Sequence, residues 1–170
     1  VTDRLPVVFD ANVLVGAVAA GASDFESWPS PPLTSSNAFA DCLGIANDAR
    51  EFSLYLSEHV LTVTAHVLTD AEHGFGWDLE HTREYMGILI EIAQASGGGV
   101  LDPRGRVSDC SDFEDNRILE LALACDAALI VSDDAHLTEL SPWRGRPVLR
   151  PREFAARTDV MRRSNSRSDD

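Results

Sequence analysis

Apolar runs in this chain stop at acids. Val7-Val8-Phe9 leads into Asp10-Ala11-Asn12, and Leu129-Ile130-Val131 leads into Ser132-Asp133-Asp134. Between them, Asp112, Glu114 and Asp115 stand at the start of a helical stretch. Ligands bind at the carboxyl ends of strands in a parallel α/β sheet. Carboxylates gathered there repel one another unless a cation joins them. Hard oxygen donors suit Mg2+ or Mn2+ rather than zinc. Such a cation can hold a phosphate oxygen, lower the pKa of a water and orient it for in-line attack, so a phosphodiester is the natural substrate. Asp10, Asp115 and Asp134 are the expected metal-binding and catalytic acids, with Asn12 and Ser132 orienting them and Asp112 in support. Each acid alone has a plainer use as a helix cap or first-turn acid. Three of them at successive element ends point to a site.

The elements that must position these residues alternate. Pro6 to Asp10 reads as a buried strand and Ala11 to Ala20 as a helix. The Pro- and Ser-rich stretch 23–36 reads as a loop. A helix capped at Ser36 or Asn37 runs to about Arg50, then a strand over Phe52 to Leu56, then a helix from Ser57 to about Asp70. Asp78 to Ala95 carries an apolar helical stripe, ended by Gly97-Gly98-Gly99, whose spacing is not that of a phosphate-binding loop. A short strand at 99–102, a helix at 114–125, a strand at 128–131, a short helix at 135–140 and a strand at 147–149 follow. Pro151 suits the first turn of a last helix. This order predicts an α/β fold, three layers α/β/α around a parallel sheet of four to five strands. Residues 1–157 form one domain in this reading, and 158–170 a disordered polar tail.

Apolar residues make up 44% and charged residues 25%, as in ordinary globular proteins. No apolar run approaches a membrane span, and the first residues lack a signal-peptide layout. Cys42, Cys110 and Cys125 are odd in number and widely spaced, which argues against a disulfide scaffold and for the cytoplasm. The formal charge is −14, so nucleic-acid contact must be local. Arg144, Arg146 and Arg150 are the candidates to hold an RNA backbone. The chain has no lysine. That excludes receiver domains and haloacid-dehalogenase-like phosphatases, acid-rich folds that rely on one.

VVFDANVLVGAV, DFEDNRILELALACDAALIVSDDAHL and VLRPREF together resemble the PIN-domain family over roughly Leu5 to Ala155. By that resemblance Asp10 is similar to the family's first acid, Asp115 to its third and Asp134 to its fourth. The resemblance implies an Mg2+- or Mn2+-dependent endoribonuclease acting on RNA, often a homodimer. It also implies the toxin of a toxin–antitoxin pair, with an antitoxin protein blocking the site. The second acid is missing: in Ser57-Glu58-His59-Val60-Leu61-Thr62-Val63, Val63 stands where the family carries glutamate. His59, His66 and Asp70 share the helical face of Val63, and His66 and Asp70 are candidate substitute ligands tolerant of Mn2+. The alternative is a catalytically impaired PIN-like module that binds RNA or protein.

Overall fold

Strands that read as continuous apolar runs belong in a sheet covered on both faces, and the computed structural model, which describes residues 3–19 and 36–168, has such a sheet. Five parallel strands lie in the order β3-β2-β1-β4-β5. They are β1 (Leu5–Phe9), β2 (Phe52–Ser57), β3 (Gly99–Leu101), β4 (Leu129–Val131) and β5 (Val148–Leu149). Val7, Val8, Phe9, Leu54, Leu56, Ile130 and Val131 are fully buried. The helices are α1 (Ala11–Ala19), α2 (Ala38–Asp48), α3 (Glu58–Thr69), α4 (Leu79–Ala95), α5 (Phe113–Ala124), α6 (Ala135–Thr138) and α7 (Pro151–Ser168). α1 packs on α2 and α3, α3 on α4, and α2 on α7, while α5 lies against β1 and β2. This is the expected three-layer α/β/α arrangement.

Local chemistry sets the element ends. Asn37 caps α2 by accepting from the Phe39 and Ala40 amides, and its own amide group donates to the Gly16 carbonyl on α1. The Ser57 hydroxyl caps α3 and the Asp78 carboxylate caps α4. The glycine triplet has a packing role. A Cβ on Gly98 would lie 1.9 Å from the Leu54 carbonyl oxygen, so only glycine lets the chain enter β3 this close to β2. The proline-rich loop expected at 23–36 falls, except for Ser36, outside the described residues.

One expectation is corrected. The chain beyond Thr158 continues as α7 to Ser168 instead of leaving the body as a tail. Thr158 is buried, and its hydroxyl donates to the Phe154 carbonyl. Arg162 is buried as well; it bonds both Glu51 carboxylate oxygens, at 2.9 and 2.7 Å, and Asp48 at 3.2 Å. Polar composition hid this because the arginine is held by acids at the α2–β2 turn, not by apolar contact. Among the described residues no helix is long and apolar enough to cross a membrane.

Replacing Arg162 by alanine removes the buried cation between Glu51 and Asp48 and leaves them only the more exposed Arg50. Urea unfolding of Arg162→Ala should show a loss of about 2 kcal/mol, the scale of hydrogen bonds to charged groups. Arg163→Ala, exposed one residue further on, should change stability by less than about 0.5 kcal/mol.

Candidate metal centre at the carboxyl edge of the sheet

The chain leaves β1 toward β2 on one side and leaves β4 toward β5 on the other. The crevice between β1 and β4 is therefore a topological switch point, where α/β sheets bind ligands. Register fixes what meets there. Phe9 pairs with Val131, and the Asp10 amide donates to the Val131 carbonyl at 2.9 Å, so Asp10 and Ser132 emerge side by side.

Asp10 accepts three hydrogen bonds. One oxygen accepts from the Ala11 amide at 2.7 Å, the other from the Ser132 hydroxyl at 2.7 Å and the Asn12 side chain at 3.2 Å. Ser132 is fully buried and also accepts from the Asp134 amide at 3.0 Å. The Asn12 carbonyl oxygen takes the Asp133 amide at 3.2 Å. Asn12 and Ser132 thus tie the two strand ends into one network.

Asp115 enters from the other layer. Asp112 caps α5 by accepting from the Glu114 and Asp115 amides, which sets Asp115 in the first turn with its side chain buried. The Cys110 thiol lies 3.5 Å from Asp115 Oδ2. Asp134 caps α6 through the His136 amide at 2.8 Å. Asp10, Asn12, Asp112, Glu114, Asp115 and Asp134 all line one cavity of about 470 Å³. Burial, first, and then repulsion from Asp134 push the Asp115 carboxyl up to about 6, with Asp112 and Asp10 adding to the push. Asp10 is raised as well, chiefly by burial, against the lowering effect of the Ser132 and Ala11 hydrogen bonds.

The opposite wall of the cavity is apolar, built from Val15, Val63, Val67 and Phe75 among others. Val63 faces the acids, so the missing carboxylate is a gap in the site itself. Neither proposed substitute lines the cavity. His66 is exposed. Asp70 caps a turn, accepting from the Glu72 and His73 amides, and those bonds hold its carboxyl below the usual range. His59 reaches across to Glu114 on α5.

The arginines divide. Arg150 follows β5 at the same edge and bonds the Asp133 carbonyl and carboxylate. Arg144 pairs with Asp109 and stacks over Trp143. Arg146 bonds Asp126 and the Ala127 carbonyl, just before β4 begins, at the opposite end of the sheet from the acids. Sequence reasoning passed over His136, whose Nδ1 lies 3.9 Å from Asp115 and 3.7 Å from Asp134. Its signal was there to read: two residues past a cap aspartate, on a one-turn helix, a side chain stays beside that aspartate.

A family model for the PIN domain matches residues 6–136. The chain belongs to the PIN-domain family. No curated protein matches it. PIN domains are generally nucleases and typically use divalent metals, which puts a hydrolase at the level of the family. The donor set fits such a metal: Asp115 and Asp134 offer carboxylate oxygens pressed together in one cavity, a pairing that a cation relieves.

With its pKa raised on folding, Asp115 favours the protonated folded state. The metal-free protein therefore loses stability as pH rises from the ordinary carboxylate value toward about 6. Asp115→Asn should raise Tm by about 4 °C at pH 7.5, with the gain fading by pH 4.5. A thermal melt series without metal checks this, and a variant less stable than the parent at pH 7.5 would refute it.

Proposed function

We propose that this chain is a metal-dependent endoribonuclease that hydrolyses RNA phosphodiesters and serves as the toxin of a toxin–antitoxin pair. The observation that carries the reading is the convergence of Asp10, Asp115 and Asp134 on one cavity at the switch point, with Asp115 pushed up by burial and then by its acidic neighbours. Evolution has no stability reason to keep mutually repelling acids in a half-apolar cavity. Asp115, Asp134 and Asp10 would hold Mg2+ or Mn2+. When bound, the cation supplies Lewis-acid activation of phosphate and water. Ser132 and Asn12 hold Asp10 in one rotamer, and the Ser132 hydroxyl, accepting from the Asp134 amide, keeps the two strand-end acids at fixed separation. Val63, Val67 and Phe75 line the rest of the cleft with apolar surface. Arg150, exposed and paired with Asp133 at the same edge of the sheet, would meet a backbone phosphate.

An antitoxin would block this cleft by presenting a basic side chain to the acids. A homodimer, common in the family, is part of the same proposal. The cytoplasm suits it, since Cys42, Cys110 and Cys125 are all free.

A second reading has its own observation. Val63 lines the cavity in place of an acid, so the domain could retain the fold and bind RNA or protein without cutting.

Purified protein should cleave a mixed RNA substrate in Mg2+ or Mn2+ and not in EDTA. Asp10→Asn and Asp134→Asn should each slow cleavage by about 100-fold or more, the scale of losing one electrostatic stabiliser. Folded wild-type protein that is silent in both metals, and that gains activity on Val63→Glu, would favour the binding module.

A further inference from the structure

We propose that the His136 imidazole is a metal ligand, completing with Asp115 and Asp134 a mixed nitrogen–oxygen site that prefers Mn2+ to Mg2+. The inference rests on the reading of the acids as a metal centre and goes beyond it by naming the ligand that sets the metal.

One donor atom from each of Asp115, Asp134 and His136 lies within 4.8 Å of the others. The imidazole Nδ1 is 3.9 Å from Asp115 and 3.7 Å from Asp134, too far for a hydrogen bond to either. It lies within 4 Å of both carboxylates, just outside the residues that line the cavity. The backbone holds it there: the His136 amide donates to Asp134 at 2.8 Å, so the residue that carries the ring also fixes the acid beside it. The side chain is 64% exposed, which leaves the ring free to turn the short distance that coordination needs.

The opposite wall gives the nitrogen its weight. Val63 and Val67 face the cavity from α3, so that helix adds no oxygen donor to the cavity lining. His59, another imidazole on that helix, is engaged with Glu114. Mg2+ demands near-octahedral oxygen coordination and sheds water reluctantly. Mn2+ accepts imidazole more readily than Mg2+ does, so a nitrogen added to the carboxylates favours it.

The test is made on the full chain, stripped of metal, by calorimetric titration with Mn2+ or Mg2+ and by pulsed electron paramagnetic resonance of the Mn2+ complex. Wild type should bind Mn2+ at least tenfold more tightly than Mg2+ and show modulation from a directly coordinated nitrogen. His136→Ala should lose the nitrogen signal and most of the Mn2+ preference, with Mg2+ affinity changed less than about threefold; His59→Gln should change neither. A nitrogen signal that survives in His136→Ala, or an unchanged Mn2+ to Mg2+ ratio, overturns the proposal while leaving the metal centre standing. No binding of either metal to wild type overturns both. Because His136 is exposed, circular dichroism of His136→Ala should match wild type; if it does not, His136→Gln takes its place.

Discussion

One hydrogen bond organises this molecule's working edge: the Ser132 hydroxyl on the Asp10 carboxylate, 2.7 Å long, between residues 122 apart. It exists because Phe9 and Val131 pair in register at the ends of two parallel strands. A slip of one residue would break that pairing and carry Asp10 out of reach of Ser132. The apolar pairing below, with Val7, Val8, Phe9 and Ile130 fully buried, is what excludes that slip. The hydrophobic sheet thus sets the polar geometry, and the site needs no separate scaffold.

The acids are held against their own repulsion. Burial and neighbouring charge raise both Asp10 and Asp115, and part of the core's stabilisation offsets that cost. Strain of this kind collects at functional sites and persists only where the surrounding structure over-determines it. Here the surroundings are the Asp112 cap, the Asn12 bridge and the Asp134 cap, each a backbone amide fixed by a side chain. The departure from the family pattern is equally local. At Val63 the cleft exchanges a charge for an apolar surface, which makes the cavity two-sided: acidic toward the sheet, oily toward α3.

The strand-end acids were legible in sequence because short apolar runs stopped at them, and a parallel sheet gives such stops one meaning. The capping residues Ser57 and Asp78 were legible for the same reason, each preceding a helical period. What sequence could not show was lateral. The face of α3 that meets the cavity carries Val63 and Val67, with His66 turned out to solvent, and helical spacing alone does not tell which face is covered. Arg146 looked like part of a basic cluster until its place before β4 put it at the wrong end of the sheet. The start of the last helix was legible at Pro151, but its continuation beyond Thr158 was missed because its anchor is an arginine among acids, a buried ion pair that reads as surface composition.

The strand order carries a consequence for biosynthesis. β1 precedes β4 in the chain, yet it pairs with β4 as well as β2, and Asp10 acquires its Ser132 and Asp134 neighbours only after some 120 further residues have emerged. Pairings of such long sequence separation form late, since the loop entropy must be met before the contacts reward it. Until then the nascent chain holds Asp10 without its companions. A cluster divided in this way between two distant stretches of the sequence is complete only after the second of them has been made.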